Sequence, residues 1–248
     1  MIYYLYDFKA YQMKRDGAGK ERISELSDYS WITWLYVSEK YYYIYSGSLE
    51  EVKAGLYCIN RETGIIEGML PCAHGYFTFL DGSVYYMENY DTVYRVPADN
   101  FKARSEEVLT LKSGETCLGL ASEGDYVYGL YTADSAELFF QHNIKTQKNN
   151  FYKLNQEGVM NRFNVVDSDI YFMTRDTIYR FRAEPEASAF QIETFYSHPF
   201  GEEWYMESFE ILKDNNIAVL YVTVRAGNEK FVLINLDGKA EPVIIDGT

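Results

Sequence analysis

Residues 83–97 read SVYYMENYDTVYRVP, and this stretch decides the fold. Val84-Tyr85-Tyr86 and Val93-Tyr94-Arg95 are short runs of β-branched and aromatic residues, the composition that β-strands favour. The residues between them, Glu88 to Asp91, are mostly polar, as expected for a hairpin loop. The stretch therefore predicts two antiparallel strands joined by a turn.

The first of these two runs recurs along the whole chain. Further copies begin at Ile2, Tyr41, Val127, Ile170 and Ile217, at intervals of about 43 residues. A run of the Val93-Tyr94-Arg95 type follows each copy, and turn residues precede several of them. Another strand-like run precedes every copy but the first, and a third apolar run closes the unit. A complete unit thus contains four short strands, and helical spacing of apolar residues is sustained almost nowhere.

Four-stranded units repeated every ~40–45 residues are typical of β-propellers. The sequence predicts one all-β domain over residues 1–248, a β-propeller with six blades. The approximate blades are residues 1–27, 28–70, 71–112, 113–155, 156–197 and 198–248. The first blade is incomplete, because the chain starts on the equivalent of the second strand of the other units. Three explanations stay open: an upstream strand has been lost, the first blade has three strands, or the ring is open.

The repeat resembles that of bacterial propellers related to the YWTD β-propellers of low-density-lipoprotein receptors. In those repeats an Ile-Tyr-Tyr or Ile-Tyr-Trp strand is followed by a Leu-Tyr-Arg-like strand and an Asp-Gly turn. Ile2-Tyr3-Tyr4 with Asp16-Gly17, and Ile170-Tyr171-Phe172 with Ile178-Tyr179-Arg180, carry the resemblance. The Trp and Asp of YWTD are missing from every copy. The resemblance implies a six-bladed fold, and it implies no catalytic residue because the bacterial relatives are domains of unknown function.

Composition and charge narrow the classes of function. Aromatic residues make up 17% of the chain, which excludes intrinsic disorder. The formal net charge of −14 argues against nucleic acid and anionic membrane surfaces as partners. No apolar stretch is long enough to predict membrane insertion. The cysteines, Cys58, Cys72 and Cys117, have neither disulfide nor zinc spacing, so buried thiols are expected.

From the N-terminal residues as given, no signal peptide is expected. Localisation therefore stays open. The protein is expected in the cytoplasm if Met1 is the native start, and at the cell surface or secreted if the chain was trimmed from a longer protein.

The sequence lacks several motifs that mark hydrolases, nucleotide-binding proteins and metal sites. No GxSxG elbow, HExxH motif or EF-hand loop occurs. Gly17-Ala18-Gly19-Lys20 is followed by Glu21, where a phosphate loop needs Ser or Thr, and a hairpin turn is the better interpretation. We expect no catalytic residue, no metal and no cofactor, and a non-enzymatic role is favoured although activity stays undecided.

Candidate ligand-binding residues lie on the loops predicted to surround the mouth of the central channel. Exposed aromatic and charged residues on a rigid scaffold are plausible contacts. The candidates are His74, Tyr90, Asp91, Arg175, Asp176, His198 and Trp204. Each of them has a simpler interpretation as an ordinary loop residue.

Three functions fit these observations. The leading hypothesis is an interaction module that presents one face of the propeller to a protein or peptide. The alternative is a carbohydrate-binding or carbohydrate-active propeller that uses carboxylates and aromatic residues at the channel mouth. Acidic pairs such as Glu106-Glu107 would then flank a glycosidic bond of a glycan. The third is a structural repeat within a larger surface protein.

Overall fold

A computed structural model of the chain shows an all-β protein. It describes residues 1–248 except 7–8, 16, 24–31, 48–52, 73, 135, 155, 157, 160–162, 184–190, 198–203, 213–216, 225–227, 238–241 and 247–248. The described residues contain 23 β-strands and no α-helix. Among them there is accordingly no helix that could cross a membrane.

The strands form six antiparallel sheets, and each sheet is built from strands that are consecutive in the chain. The first three sheets are β1 (Ile2–Tyr6), β2 (Lys9–Met13) and β3 (Glu21–Arg22); β4 (Ile32–Val37), β5 (Tyr41–Ser46), β6 (Gly55–Asn60) and β7 (Ile66–Leu70); and β8 (Phe77–Leu80), β9 (Ser83–Met87), β10 (Thr92–Pro97) and β11 (Glu106–Thr110).

The remaining three sheets contain four strands each. They are β12 (Thr116–Glu123), β13 (Tyr126–Ala133), β14 (Ala136–Asn143) and β15 (Asn149–Lys153); β16 (Phe163–Val166), β17 (Asp169–Met173), β18 (Thr177–Arg182) and β19 (Glu193–Ser197); and β20 (Trp204–Leu212), β21 (Ile217–Val224), β22 (Asn228–Asn235) and β23 (Val243–Asp246). The six sheets confirm the predicted class, a six-bladed β-propeller with an incomplete first blade.

The hairpin of residues 83–97 forms as its sequence predicts. β9 and β10 are antiparallel, with Tyr86 opposite Tyr94 and Val84 opposite Val96. The turn before β9 has left-handed backbone at Asp81 (φ 48°) and Gly82 (φ 68°). Glycine adopts this region without strain and aspartate tolerates it, so these two residues favour a tight reversal between β8 and β9.

The chain divides into two compact units, Met1–Thr116 and Cys117–Thr248. The first unit contains the first three sheets and the second unit contains the other three. In the first unit, Trp34 meets Phe77 edge-on between the second and third sheets, with ring centroids 4.3 Å apart. In the second unit, Phe139 meets Phe163 in the same way at 4.9 Å, between the fourth and fifth sheets. Aromatic side chains from neighbouring sheets thus build the cores of both units.

The second strands of the second, third and fifth sheets are their most buried parts. All six residues of β5 are buried, as are four of the five in β9 and in β17. The Tyr41-Tyr42-Tyr43 cluster therefore belongs to the core. In the first sheet, by contrast, Ile2 and Leu5 of β1 keep 37% and 36% of their surface exposed.

Candidate functional site

A left-handed turn at the start of the third sheet positions His74. His74 has φ 47° and Gly75 has φ 74°, an arrangement that is uncommon for a residue with a side chain. A Cβ atom added to Gly75 would lie 3.2 Å from the Tyr45 ring, so glycine also permits this close approach. The reversal leaves His74 exposed immediately before β8.

The turn brings His74 next to an aromatic residue of another loop. Tyr90 lies in the turn between β9 and β10, and its ring centroid is 5.3 Å from that of His74. The ring centroid of Tyr76 is 6.0 Å from that of His74. Tyr90 is 42% exposed, and Glu88 beside it is exposed as well. Two of the predicted candidates, His74 and Tyr90, thus form one cluster.

Buried side chains support this cluster from below. The backbone N–H of Met87, at the end of β9, donates to the carbonyl of Tyr76, directly before β8, at 3.1 Å. The Cys72 thiol donates to the same carbonyl at 3.4 Å. Burial raises the pKa of Cys72 to about 12 and also raises the pKa of Tyr45. Both groups stay neutral near pH 7, so the base of the cluster is an uncharged, packed surface.

Asp91 is exposed beside Tyr90, but it also has a structural role. Its carboxylate accepts a hydrogen bond from the Thr92 hydroxyl at 3.0 Å, and its carbonyl accepts one from the Leu111 N–H at 2.7 Å. The Thr92 hydroxyl also lies 3.3 Å from that of Thr110. Asp91 therefore closes the β9–β10 turn and joins it to the end of β11.

Asp176 repeats this arrangement in the fifth sheet. Its carboxylate accepts a hydrogen bond from the Thr177 hydroxyl at 3.0 Å, and that hydroxyl lies 3.4 Å from the Ser197 hydroxyl. Arg175 precedes it in the same turn, and both side chains are exposed. These two candidates belong to the second unit, whereas His74, Tyr90 and Asp91 belong to the first.

The last two candidates can be placed only in part. Trp204 is the first residue of β20, so its backbone belongs to a strand and not to the loop before it. His198 lies outside the described residues. Of the seven candidates, the structure brings the rings of His74 and Tyr90 together, with Asp91 next to Tyr90 in the chain.

A second cluster in the first unit is formed by residues that are not among the seven predicted candidates. The Arg61 guanidinium lies between two tyrosine rings, 5.5 Å from the centroid of Tyr3 and 5.3 Å from that of Tyr42. It donates to the Tyr3 hydroxyl at 2.6 Å and to the carbonyl of Ser38 at 2.5 Å. Tyr3, Tyr42 and Arg61 line an open cavity of about 560 Å³. The sequence shows only that Arg61 lies in a polar turn. Its position between two tyrosine rings depends on the packing of the first sheet on the second, which the sequence does not reveal.

A smaller cavity of about 320 Å³ lies in the second unit. Its lining includes Glu210, Tyr221 and Phe231, and the rings of Tyr221 and Phe231 are 5.7 Å apart. Within the described part of the chain, no group of three or more His, Cys, Asp or Glu side chains could hold a metal ion. All three cysteines are buried thiols outside any disulfide, as their spacing predicts.

Comparisons with known proteins support the fold and add no family. No protein-family model matches the sequence, and no curated protein matches it. Among solved structures the chain is similar to a prolyl endopeptidase, with a TM-score of 0.66, 13% identity and 95% of this chain covered. It is also similar to TolB from Acinetobacter baumannii (TM-score 0.61, 10% identity, 96% covered) and to a chain of the mitotic checkpoint complex (TM-score 0.61, 10% identity, 97% covered).

The chain spans 38% of the prolyl endopeptidase, 59% of TolB and 71% of the checkpoint chain. At these identities the likeness shows the fold alone, because unrelated functions share the same fold. The likeness in fold extends over nearly the whole chain.

Proposed function

We propose that the chain is a non-enzymatic binding module that recognises a protein or peptide. The contact region is what we term the His74–Tyr90 surface, formed by His74, Tyr76, Glu88, Tyr90 and Asp91. The observation that carries the proposal is the 5.3 Å pair of His74 and Tyr90 rings, exposed on a packed, uncharged base. Exposed aromatic residues on a rigid support are typical anchors of protein interfaces.

The charge of the surface suggests the chemistry of the partner. Glu88 and Asp91 flank Tyr90, and the whole chain has a net charge of −14. A segment with Lys or Arg next to an apolar residue would complement both the carboxylates and the ring faces. A chain of similar fold occurs in the mitotic checkpoint complex, an assembly of proteins, and this supports such a role for a propeller of this type.

The evolutionary proposal is narrower. We infer that the chain is a distant bacterial relative of the YWTD propellers and that residues 1–248 act as one domain. The support is the recurrence of the Ile-Tyr-Tyr and Leu-Tyr-Arg-like runs in successive sheets. An alignment of homologous sequences tests this proposal. The same runs at the same positions in the homologues would support it, and homologues without these runs would contradict it.

A peptide array with a matched variant tests the proposed function. An array of ~12-residue peptides of basic, acidic and neutral composition would be probed with the intact chain, and the best binder would be titrated by calorimetry. We expect basic peptides with an aromatic or aliphatic residue to bind. Tyr90→Ala should weaken the affinity for these peptides about tenfold or more.

The control is Tyr36→Ala. Tyr36 is 43% exposed, close to the 42% of Tyr90, but it lies in the second sheet and packs on Phe79. The Tyr36→Ala substitution should leave the peptide affinity unchanged. Equal binding by the Tyr90→Ala variant and the wild type would refute the proposed surface. Binding of a glycan array, with no peptide bound, would refute the proposed class of partner and favour the carbohydrate alternative.

A further inference from the structure

The first sheet has an open edge where the other sheets have a strand. In the described chain, β1 pairs with β2 alone, and the sheet order is β1-β2-β3. Backbone N–H and C=O groups therefore line the second edge of β1 in an extended conformation. An edge of this kind is a template for pairing with a further strand.

The strand that fits this edge can be deduced from the fifth sheet. Ile2-Tyr3-Tyr4-Leu5 of β1 corresponds position by position to Ile170-Tyr171-Phe172-Met173 of β17. The next strands pair in the same register, with Met13 opposite Ile2 and Phe181 opposite Ile170. The two hairpins are thus equivalent, and only β17 is paired on both edges.

The partner of β17 on its other edge is β16, whose sequence is Phe-Asn-Val-Val. In that pairing, Val165 lies opposite Ile170, Asn164 opposite Tyr171 and Phe163 opposite Phe172. The corresponding partner of β1 would place its valine opposite Ile2 and its aromatic residue opposite Tyr4.

Burial shows the consequence of the absent pairing. Ile170 and Met173 are fully buried, whereas the equivalent residues Ile2 and Leu5 are 37% and 36% exposed. An added strand would cover apolar surface on β1 as well as satisfy its backbone edge.

We propose that the free edge of β1 binds an extended segment of another polypeptide by strand addition. The occupant resembles the first strands of the other five sheets, which are four to nine residues long. In this mode the main-chain hydrogen bonds supply affinity and alternate side chains supply specificity.

A second copy of β1 would fit this edge poorly. The first strands combine apolar residues with small or polar ones, such as Thr33, Gly119 and Asn164. β1 is instead a run of large side chains, Ile-Tyr-Tyr-Leu-Tyr. A partner segment of the β16 type is therefore the better match.

The test uses a labelled peptide with the sequence of residues 162–169, RFNVVDSD, whose charged and polar ends keep it soluble. Binding to the intact chain would be followed by fluorescence anisotropy. The matched peptide contains Val165→Pro, which removes a backbone donor and cannot form the ladder. We expect it to bind at least about tenfold more weakly than the parent peptide.

Two protein variants locate the binding. Ile2→Lys with Leu5→Lys places charges along the edge, which discourages strand pairing. The matched control is Ile65→Lys, since Ile65 is 62% exposed in the second sheet's turn. We expect the edge variant to lose binding about tenfold or more and the control to keep it, with both folded by circular dichroism.

Peptide binding that survives the edge substitutions, or equal binding of the proline peptide, would overturn the proposal. So would dimers of the wild-type chain that dissociate in the edge variant, because the occupant would then be a second copy. The His74–Tyr90 surface takes no part in this experiment, so either proposal can fail without the other.

Discussion

The first and fifth sheets contain nearly the same hairpin in two different surroundings. Ile2 and Ile170 occupy equivalent positions, yet Ile170 is fully buried and Ile2 is 37% exposed. The sequence of the hairpin is therefore not what sets its burial. The difference lies in the adjacent strand, since β16 pairs with β17 and no described strand pairs with β1 on that edge.

The comparison separates strand formation from core formation. β-branched and aromatic residues between turns suffice to form both hairpins, because strand preference and turn chemistry act locally. Burial requires covering strands and sheets that come from elsewhere in the chain. The fifth sheet has them within its unit, where Tyr171 and Met173 pack against the sixth sheet.

The largest expected effect is on stability. Ile170→Ala should lower the free energy of unfolding by about 2–5 kcal/mol, because it removes a buried side chain and leaves a cavity. Ile2→Ala, the equivalent change in the first sheet, should cost less than about 1 kcal/mol because much of that side chain already contacts water. Urea denaturation followed by tyrosine fluorescence measures both.

Similar losses in the two variants would contradict the comparison and indicate that β1 is covered in solution. The same denaturation experiment can be repeated with the peptide of residues 162–169 added to each variant. If it occupies the β1 edge, Ile2→Ala should become more costly in its presence while Ile170→Ala stays unchanged.

The next effect concerns pH, because the second and fourth sheets bury thiols, at Cys58 and Cys117, and the first sheet contains no cysteine. Burial raises the pKa of Cys117 in β12 from an ordinary value of about 9 to about 12. Between these values the thiol is ionised in the unfolded chain and protonated in the folded one. The folded state then binds more protons, so stability is full below pH 9 and falls as the pH rises toward 12.

The expected slope from Cys117 is about −1.4 kcal/mol per pH unit above pH 9. Urea midpoints at pH 8, 9, 10 and 10.5 measure it. Cys117→Ala should flatten the curve by roughly this slope, although the variant starts from a lower stability. An unchanged slope in that variant would mean that the thiol does not remain protonated in the folded state.

The sequence predicts most of the fold because its signals are local and repeated. The Val84-Tyr85-Tyr86 run and the turn at Asp81-Gly82 each act within a few residues, and six similar copies reinforce the prediction. The incomplete first blade could also be predicted, since a strand-like run precedes every other copy.

The candidate site could be predicted only in part, because its geometry depends on contacts between distant residues. His74 and Tyr90 are both recognisable as loop residues, but their contact depends on the left-handed turn at His74. Asp91 looks like a free carboxylate in the sequence. In the structure, the Asp91 carboxylate accepts a hydrogen bond from Thr92, and the Thr92 hydroxyl lies next to that of Thr110. Asp91 therefore also stabilises the turn.

The smallest expected effect comes from a pair of side chains on the same two hairpins. In the fifth sheet, Arg180 lies opposite Tyr171 and forms a 2.7 Å ion pair with Glu193. In the first sheet, Gln12 lies opposite Tyr3 and donates to Glu21 in the same register. Arg180→Gln thus gives the fifth sheet a Gln–Glu pair like that of Gln12 and Glu21 in the first sheet.

Both members of the ion pair are partly exposed, so Arg180→Gln should cost about 0.2–1 kcal/mol at low salt and nearly nothing in 1 M NaCl. The reciprocal Gln12→Arg should bring no gain, because the Gln12 side chain also accepts a hydrogen bond from the Tyr42 hydroxyl at 2.9 Å and arginine has no acceptor. Urea denaturation of the two variants at both salt concentrations measures these differences. A gain of stability in Gln12→Arg would mean that the contact with Tyr42 contributes little, and that the first sheet can hold the ion pair of the fifth.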